Sequence, residues 1–156
     1  MTDYKIIIPA RYNSKRFPGK PLVKIHGKTM LERVWLNAMD SAASEIIIAT
    51  DDQRIETVAK NFGAHVCVTS NEHKSGTDRI IEAIEILGLR DDEIILNVQG
   101  DEPLLSNKLM DECASLISDK EECIGTLASP FTKGERLDDP NLVKVLVNTR
   151  GYAIYF

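Results

Sequence analysis

Four short apolar runs punctuate the chain: residues 4–9 (YKIIIP), 45–50 (EIIIAT), 64–69 (AHVCVT) and 93–98 (EIILNV). Each is rich in β-branched residues and bounded by Pro, Gly or polar positions, the pattern of a strand buried on both faces. Between them the period changes to that of a helix. Met30, Leu31, Val34, Trp35, Ala38 and Met39 recur at helical spacing after Thr29 and Glu32, which fit a capping box, so a helix is predicted to about Ser41. Ile55, Val58, Ala59 and Phe62 mark a second helix stopped by Gly63, and Ile80, Ile81, Ile84 and Leu87 a third stopped by Gly88. Ser106 caps a fourth that carries Leu109, Met110, Cys113, Leu116 and Ile117.

Beyond this helix the pattern predicts a strand over residues 124–129, a loop over 130–141, and a β-hairpin whose arms, 142–147 and 152–156, flank Asn148-Thr149-Arg150-Gly151. Strands alternating with helices imply right-handed βαβ units. The predicted class is therefore α/β, a mainly parallel sheet flanked by helices in a Rossmann-like α/β/α sandwich with a C-terminal β-hairpin. At 156 residues one domain is expected, spanning 1–156. In such a sheet ligands sit beyond the carboxyl ends of the strands, which directs attention to residues 10–20, 51–52, 70–79 and 99–103.

Composition narrows the classes. Hydrophobic residues make up 43% and charged residues 28%, so disordered, collagenous and coiled-coil chains are excluded. No apolar run approaches a membrane span, and residues 1–25 lack the order of a secretion signal, so the reading is of a cytoplasmic protein. Cys67, Cys113 and Cys123 are spaced for neither a disulfide framework nor a metal clamp and read as reduced packing residues. The net charge of −5 argues against a nucleic-acid coat, but its distribution is uneven. Residues 4–31 contain no acid and seven cations, Lys5, Arg11, Lys15, Arg16, Lys20, Lys24 and Lys28, leaving 12 basic against 24 acidic residues elsewhere. An acidic protein with its positive charge gathered near one end is suited to a compact polyanion.

The first strand-end loop, PARYNSKRFPGKPL (residues 9–22), holds Arg11, Lys15, Arg16 and Lys20, stiffened by prolines, with Gly19 permitting close backbone approach. Guanidinium groups bind phosphate oxygens bidentately and a lysine can follow a leaving phosphate, so a triphosphate fits; a solvated basic loop is the alternative reading. Gly27-Lys28-Thr29 imitates the end of a P-loop, but Leu22 stands where that pattern needs glycine, and no GxGxxG follows a strand. Asp101, just past the fourth strand, is placed to hold Mg²⁺ or simply to form a turn. Asp51 and Asp52 read as N-cap and first-turn acid of the second helix. Ser75-Gly76-Thr77 opens the third helix and could read a base edge or a phosphate, or only cap. His26, His65 and His73 share no metal-ligand spacing.

With these residues in view, the chain resembles the 3-deoxy-manno-octulosonate cytidylyltransferases, or CMP-Kdo synthetases. The resemblance rests on IIIPARYNSKRFPGKPL (6–22), IIIATDD (46–52), HKSGTDR (73–79), ILNVQGDEP (95–103), and PNLVKVL with GYAIYF within 140–156, in the family's order. It implies a nucleotide-diphospho-sugar transferase-like fold and a reaction in which CTP and Kdo give CMP-Kdo and pyrophosphate with Mg²⁺, supplying activated sugar for lipopolysaccharide. It also implies a homodimer. Carried over by position, Arg11, Arg16 and Lys20 would hold the triphosphate and the departing pyrophosphate, while Ala10, Ser75, Gly76 and Arg79 would shape the cytidine pocket. Gln99 would face nucleotide and sugar, and Asp101 would ligate Mg²⁺, so that Arg11, Lys20 and Asp101 carry catalysis. Family members continue past GYAIYF with a Ser-Arg step, sugar-contacting residues, dimer-forming elements and a second metal-binding aspartate, so the reading is of a chain truncated at its C-terminal end. A CTP-binding fragment without turnover, or a relative acting on 8-amino-Kdo or a sialic-acid-like sugar, are the alternatives.

Overall fold

The computed structural model describes residues 3–13, 17–117, 124–132, 134, 136–140 and 142–156. They group into two compact units, 1–125 and 126–156. In the first unit the strands are β1 (Tyr4–Ala10), β2 (Lys24–Ile25), β3 (Lys28–Thr29), β4 (Glu45–Thr50), β5 (His65–Val68) and β6 (Ile94–Asn97). The helices are α1 (Met30–Met39), α2 (Gln53–Asn61), α3 (Gly76–Leu87) and α4 (Asn107–Ser115).

All four predicted strands of this unit form one parallel sheet in the order β5-β4-β1-β6. Its central strand, β1, is buried on both faces because side chains alternate along it. Ile6, Ile8 and Ala10 pack with Ile48 against Leu31, Val34 and Ala38 of α1, Ile55 and Ala59 of α2, and Met110 and Ala114 of α4. Ile7 points the other way and joins Ile47, Ala49, Cys67 and the α3 residues Ile80 and Ala83. The chirality of βαβ crossovers explains this division. Two right-handed steps from β1 through β4 to β5 put α1 and α2 on one face; reversing across the sheet to β6 with the same hand puts α3 on the other. The reversal makes the carboxyl ends of β1 and β6 a topological switch point, the place where ligands bind in open α/β sheets.

Local signals set the helix ends. Thr29 Oγ1 accepts from Glu32 N at 3.1 Å to start α1, and the Glu32 carboxylate pairs with Lys28 Nζ at 2.8 Å. Ser75 and Asp78 complete a reciprocal capping box on α3, which closes on Gly88 at φ 63°. Ser106 Oγ accepts from Leu109 N to begin α4, as expected. The helix predicted to about Ser41 ends at Met39. Tyr4 donates to Asp111 Oδ1 at 2.6 Å, and burial, reinforced by that bond, pushes its phenol up to about 12.

Two readings change, and the motif already set aside by its spacing takes a definite form. The P-loop look-alike is a hairpin: β2 and β3 pair antiparallel across His26 and Gly27, both at positive φ, the arrangement of a type I′ turn. Asp52, not Asp51, is the N-cap of α2; Asp51 faces α3 instead. Residues 124–129 are not a strand, and Ile124 is 87% exposed. An apolar run becomes a strand only when a neighbour takes its hydrogen bonds, and none among the described residues does so here.

The second unit contains the expected hairpin in shortened form, β7 (Leu146–Val147) against β8 (Ala153–Tyr155), with a register shift at Leu146/Val147. Its turn is organised by Asn148, whose Oδ1 accepts from Arg150 N at 2.9 Å and Tyr152 N at 3.0 Å. Among the described residues no helix is long and apolar enough to cross a membrane. Cys67 and Cys113 are free thiols, both raised by burial, whereas Cys123 lies outside the described residues.

Candidate functional site

The carboxyl ends of β1 and β6 approach so closely that a Cβ on Gly100 would lie 3.1 Å from the carbonyl oxygen of Pro9, so only glycine lets these two strand ends meet unstrained. Ala10 ends β1, buried against its partner Thr50 on β4. The next residue, Arg11, is exposed and reaches across to the loop before α3, where its Nη1 donates to the Lys74 carbonyl at 3.3 Å. Gly19 then leads into a 3₁₀ turn over Lys20–Leu22. Lys20 Nζ sits 2.6 Å from Asp101 Oδ2, beyond β6.

The chain thus brings Lys20 and Asp101 together across 81 positions of sequence and ties Arg11 to the loop that leads into α3. Arg16 and Lys15 lie outside the described residues. Asp101 is 45% exposed in its side chain and paired with Lys20, so its charge is compensated yet open to a ligand. Gln99 is exposed, with Nε2 donating to Asn97 Oδ1 at 2.9 Å and its carbonyl accepting from Glu102 N at 3.2 Å. Asn37 of α1, which the sequence pattern did not single out, holds the far side of this loop by donating to the Pro103 and Leu105 carbonyls at 2.8 and 3.2 Å.

On the α3 side the hydroxyl of Ser75 accepts from Asp78 N, and its amide donates to Asp78 Oδ2 at 3.0 Å; the Ser75 side chain first, and this amide second, hold the Asp78 carboxyl below its usual range. Gly76 follows, where a Cβ would come within 3.3 Å of the Pro9 ring. Arg79, only 3% exposed, turns its guanidinium inward: Nη1 donates to Thr69 Oγ1 and to the Ser70 carbonyl at 3.4 Å, and Nη2 lies 2.8 Å from Asp51 Oδ1. This last contact is an ion pair. Burial lowers the Arg79 pKa against the opposing pull of Asp51. The Arg79 side chain is therefore a strut joining the ends of β4 and β5 to α3, with its charged head spent on the protein. A buried cation paired with a carboxylate is the signal that identifies Asp51, and it exists only in three dimensions.

The loop from 70 to 75 has a second anchor. Glu82 accepts from Ser70 N at 2.7 Å and from His73 Nε2 at 2.5 Å, and the His73 bond, then the Ser70 amide, hold its carboxyl below the usual 4.5. A depressed carboxylate stabilises the fold above its ordinary pKa and loses that contribution as pH falls through the lower folded value. Thermal midpoints measured from pH 7 down to pH 3 are accordingly expected to show Glu82→Gln below the parent chain near neutrality and converging with it below pH 4.5.

A family model described as Cytidylyltransferase matches residues 5–156. The chain belongs to the cytidylyltransferase family. It is similar to the 3-deoxy-manno-octulosonate cytidylyltransferases of Ruthia magnifica subsp. Calyptogena magnifica, 48% identical over 99% of this chain, and of Pasteurella multocida, 47% identical over 100%. It covers 63% and 60% of those proteins, about three fifths of their length. Among solved structures, a CMP:2-keto-3-deoxy-manno-octonic acid synthetase complexed with CTP superposes with a TM-score of 0.76 at 32% identity, covering 99% of this chain and 63% of that one. A cytidylyltransferase from Leptospira borgpetersenii matches with a TM-score of 0.60 at 25% identity, over 75% of this chain and 49% of that one. The cytidylyltransferase assignment agrees with the parallel sheet, its switch point and the cationic loop beside it.

For a divalent cation the donor set is sparse: among the described residues no group of three or more His, Cys, Asp or Glu could hold a metal. Mg²⁺ does not need one, because it keeps several waters and takes oxygens from substrate phosphates beside one or two carboxylates. Asp101, exposed at the switch point and already compensated by a cation, fits that partial role.

Proposed function

We propose that this cytidylyltransferase chain binds CTP at the β1/β6 switch point and forms the nucleotide side of an enzyme that transfers CMP to 3-deoxy-manno-octulosonate, releasing pyrophosphate and supplying activated sugar for lipopolysaccharide. The observation that carries the reading is the placement of Arg11 and Lys20 at the carboxyl end of β1, with Lys20 against Asp101 beyond β6. The names of relatives at 46–48% identity support the sugar. A homodimer, as the resemblance implies, belongs to the same proposal.

In the proposed step the anomeric hydroxyl oxygen of the sugar forms a bond to the α-phosphorus of CTP as the bond from that phosphorus to the β-phosphate oxygen breaks. The hydroxyl proton is released and pyrophosphate carries away the bonding pair. Catalysis of such a displacement is mainly alignment and charge neutralisation. Arg11 would bind phosphate oxygens through its planar fork while its bond to the Lys74 carbonyl keeps the base side and the phosphate side in register. Lys20 would exchange Asp101 for the β- and γ-phosphates and follow the departing pyrophosphate. Asp101 would hold Mg²⁺, which when bound neutralises phosphate charge. Ala10, Ser75 and Gly76 would present backbone to the cytidine, Arg79 would shape that wall from behind, and Gln99 would face the nucleotide; Arg16 would add a third cation.

The test is pyrophosphate release from CTP, Kdo and Mg²⁺, beside calorimetry with CTP alone. Release that Asp101→Asn reduces, with CTP affinity losing its dependence on Mg²⁺, supports the reading. Binding without release restricts it to the nucleotide, and no heat from folded protein overturns it.

A further inference from the structure

Tyr12 and Arg54 have no place in the chemistry above, yet they meet at the neck of the cationic loop. The Tyr12 carbonyl accepts from Gly19 N at 2.8 Å, closing the loop on itself. The same residue's ring lies under the backbone there: a Cβ on Gly19 would come within 3.1 Å of ring atoms Cε2 and Cζ. Arg54, from the first turn of α2, places its guanidinium carbon 3.3 Å from the centre of the Tyr12 ring. That guanidinium is already neutralised, because Nε and Nη2 donate to Asp52 Oδ1 and Oδ2 at 2.9 and 2.6 Å. Asp52 is fixed in turn, capping α2 through Arg54 N at 3.0 Å and donating its own amide to Thr50 Oγ1 at 3.2 Å. Thr50 is fully buried at the end of β4 and paired with Ala10.

The neck therefore stands on the sheet. Arg11 immediately precedes Tyr12 and Lys20 immediately follows Gly19, so the neck sets how far apart the two cations stand. We infer that Tyr12 and Arg54 are positioning residues: the Asp52-held guanidinium clamps the Tyr12 ring, closes the 12–19 neck and so fixes the spacing of Arg11 and Lys20 for the triphosphate. This rests on the proposed binding of CTP. A guanidinium stacked on an aromatic face contributes through the ring quadrupole, and pairing with a carboxylate keeps it in place without making it a phosphate ligand.

Two readouts test the clamp. Without nucleotide, amide exchange at Gly19 in Arg54→Leu is expected to accelerate by roughly 5- to 10-fold, inside the roughly 2- to 30-fold span of lost cation–π contacts, while amides of β1 stay protected. With Mg²⁺, calorimetry is expected to show a loss of CTP affinity of roughly the same factor, with CMP affinity within about twofold, because only the β- and γ-phosphates need the cation spacing. Tyr12→Phe, which keeps the ring, should match the parent in both measurements, and Tyr12→Leu should match Arg54→Leu, which covers the case that one variant fails to fold. Unchanged Gly19 exchange in a folded Arg54→Leu chain overturns the inference, as does an equal loss for CTP and CMP. Should the parent chain bind no CTP, the proposed function fails and the role in triphosphate binding fails with it, while Gly19 exchange still decides whether the clamp closes the neck.

Discussion

Lys20→Ala is expected to weaken CTP binding in the presence of Mg²⁺ by roughly 10- to 150-fold, the equivalent of one charge-assisted hydrogen bond of about 1.5–3 kcal/mol. Among the described residues the ammonium pairs with Asp101 at 2.6 Å, and both groups are partly solvated, so the ion pair itself contributes little to stability. Its removal should leave the thermal midpoint nearly unchanged. What disappears is a mobile point charge at the β1/β6 switch point. Lys20→Arg should recover part of the affinity, because the charge returns with a different reach and a planar fork. Calorimetric titration of the parent and both variants checks this; equal affinities in all three would remove Lys20 from the site.

Arg79→Met is expected to destabilise the fold by about 3 kcal/mol, the lower end of the range for stranding one partner of a buried ion pair. Arg79 is 3% exposed and the Asp51 side chain 19%, so the stranded carboxylate keeps only limited contact with water. The hydrogen bonds to Thr69 and Ser70 are lost as well. Replacing both partners, Asp51→Leu with Arg79→Met, should cost less than Arg79→Met alone, since two apolar side chains strand no charge. Denaturant unfolding of the two variants tests the ordering. Were the double variant the less stable, the destabilisation would come from lost packing and not from the unpaired charge.

These two sites show what local sequence could and could not convey. The strand runs, helix periods and stop glycines act over a few residues, and the structure places β1, β4, β5, β6 and all four helices of the first unit close to where those signals lie. Thr29, Ser75 and Ser106 were legible as caps for the same reason: a side-chain oxygen three residues before a free amide is a local event. The run at 124–129 was misleading because β-propensity reports fitness for a sheet, not the presence of a neighbouring strand. Gly27-Lys28-Thr29 could be rejected as a P-loop from its spacing, yet its identity as the end of a two-residue hairpin came only with the positive φ of His26. Asp51 and Asp52, adjacent and chemically identical, could not be told apart until the first was found against Arg79 and the second on α2.

By itself the sequence determined the alternation of buried strands and helices, the concentration of cations at the end of the first strand, and motifs specific enough to name the cytidylyltransferase family, since all of these are written in neighbouring residues. The tertiary structure alone decided that Lys20 meets Asp101, that Arg79 is a buried strut held by Asp51, and that Arg54 stacks on Tyr12 at the neck of the cationic loop. Each of those contacts joins segments whose proximity is set by the order of strands in the sheet and the hand of its crossovers, and that order follows from how the whole core packs rather than from any stretch of chain within it.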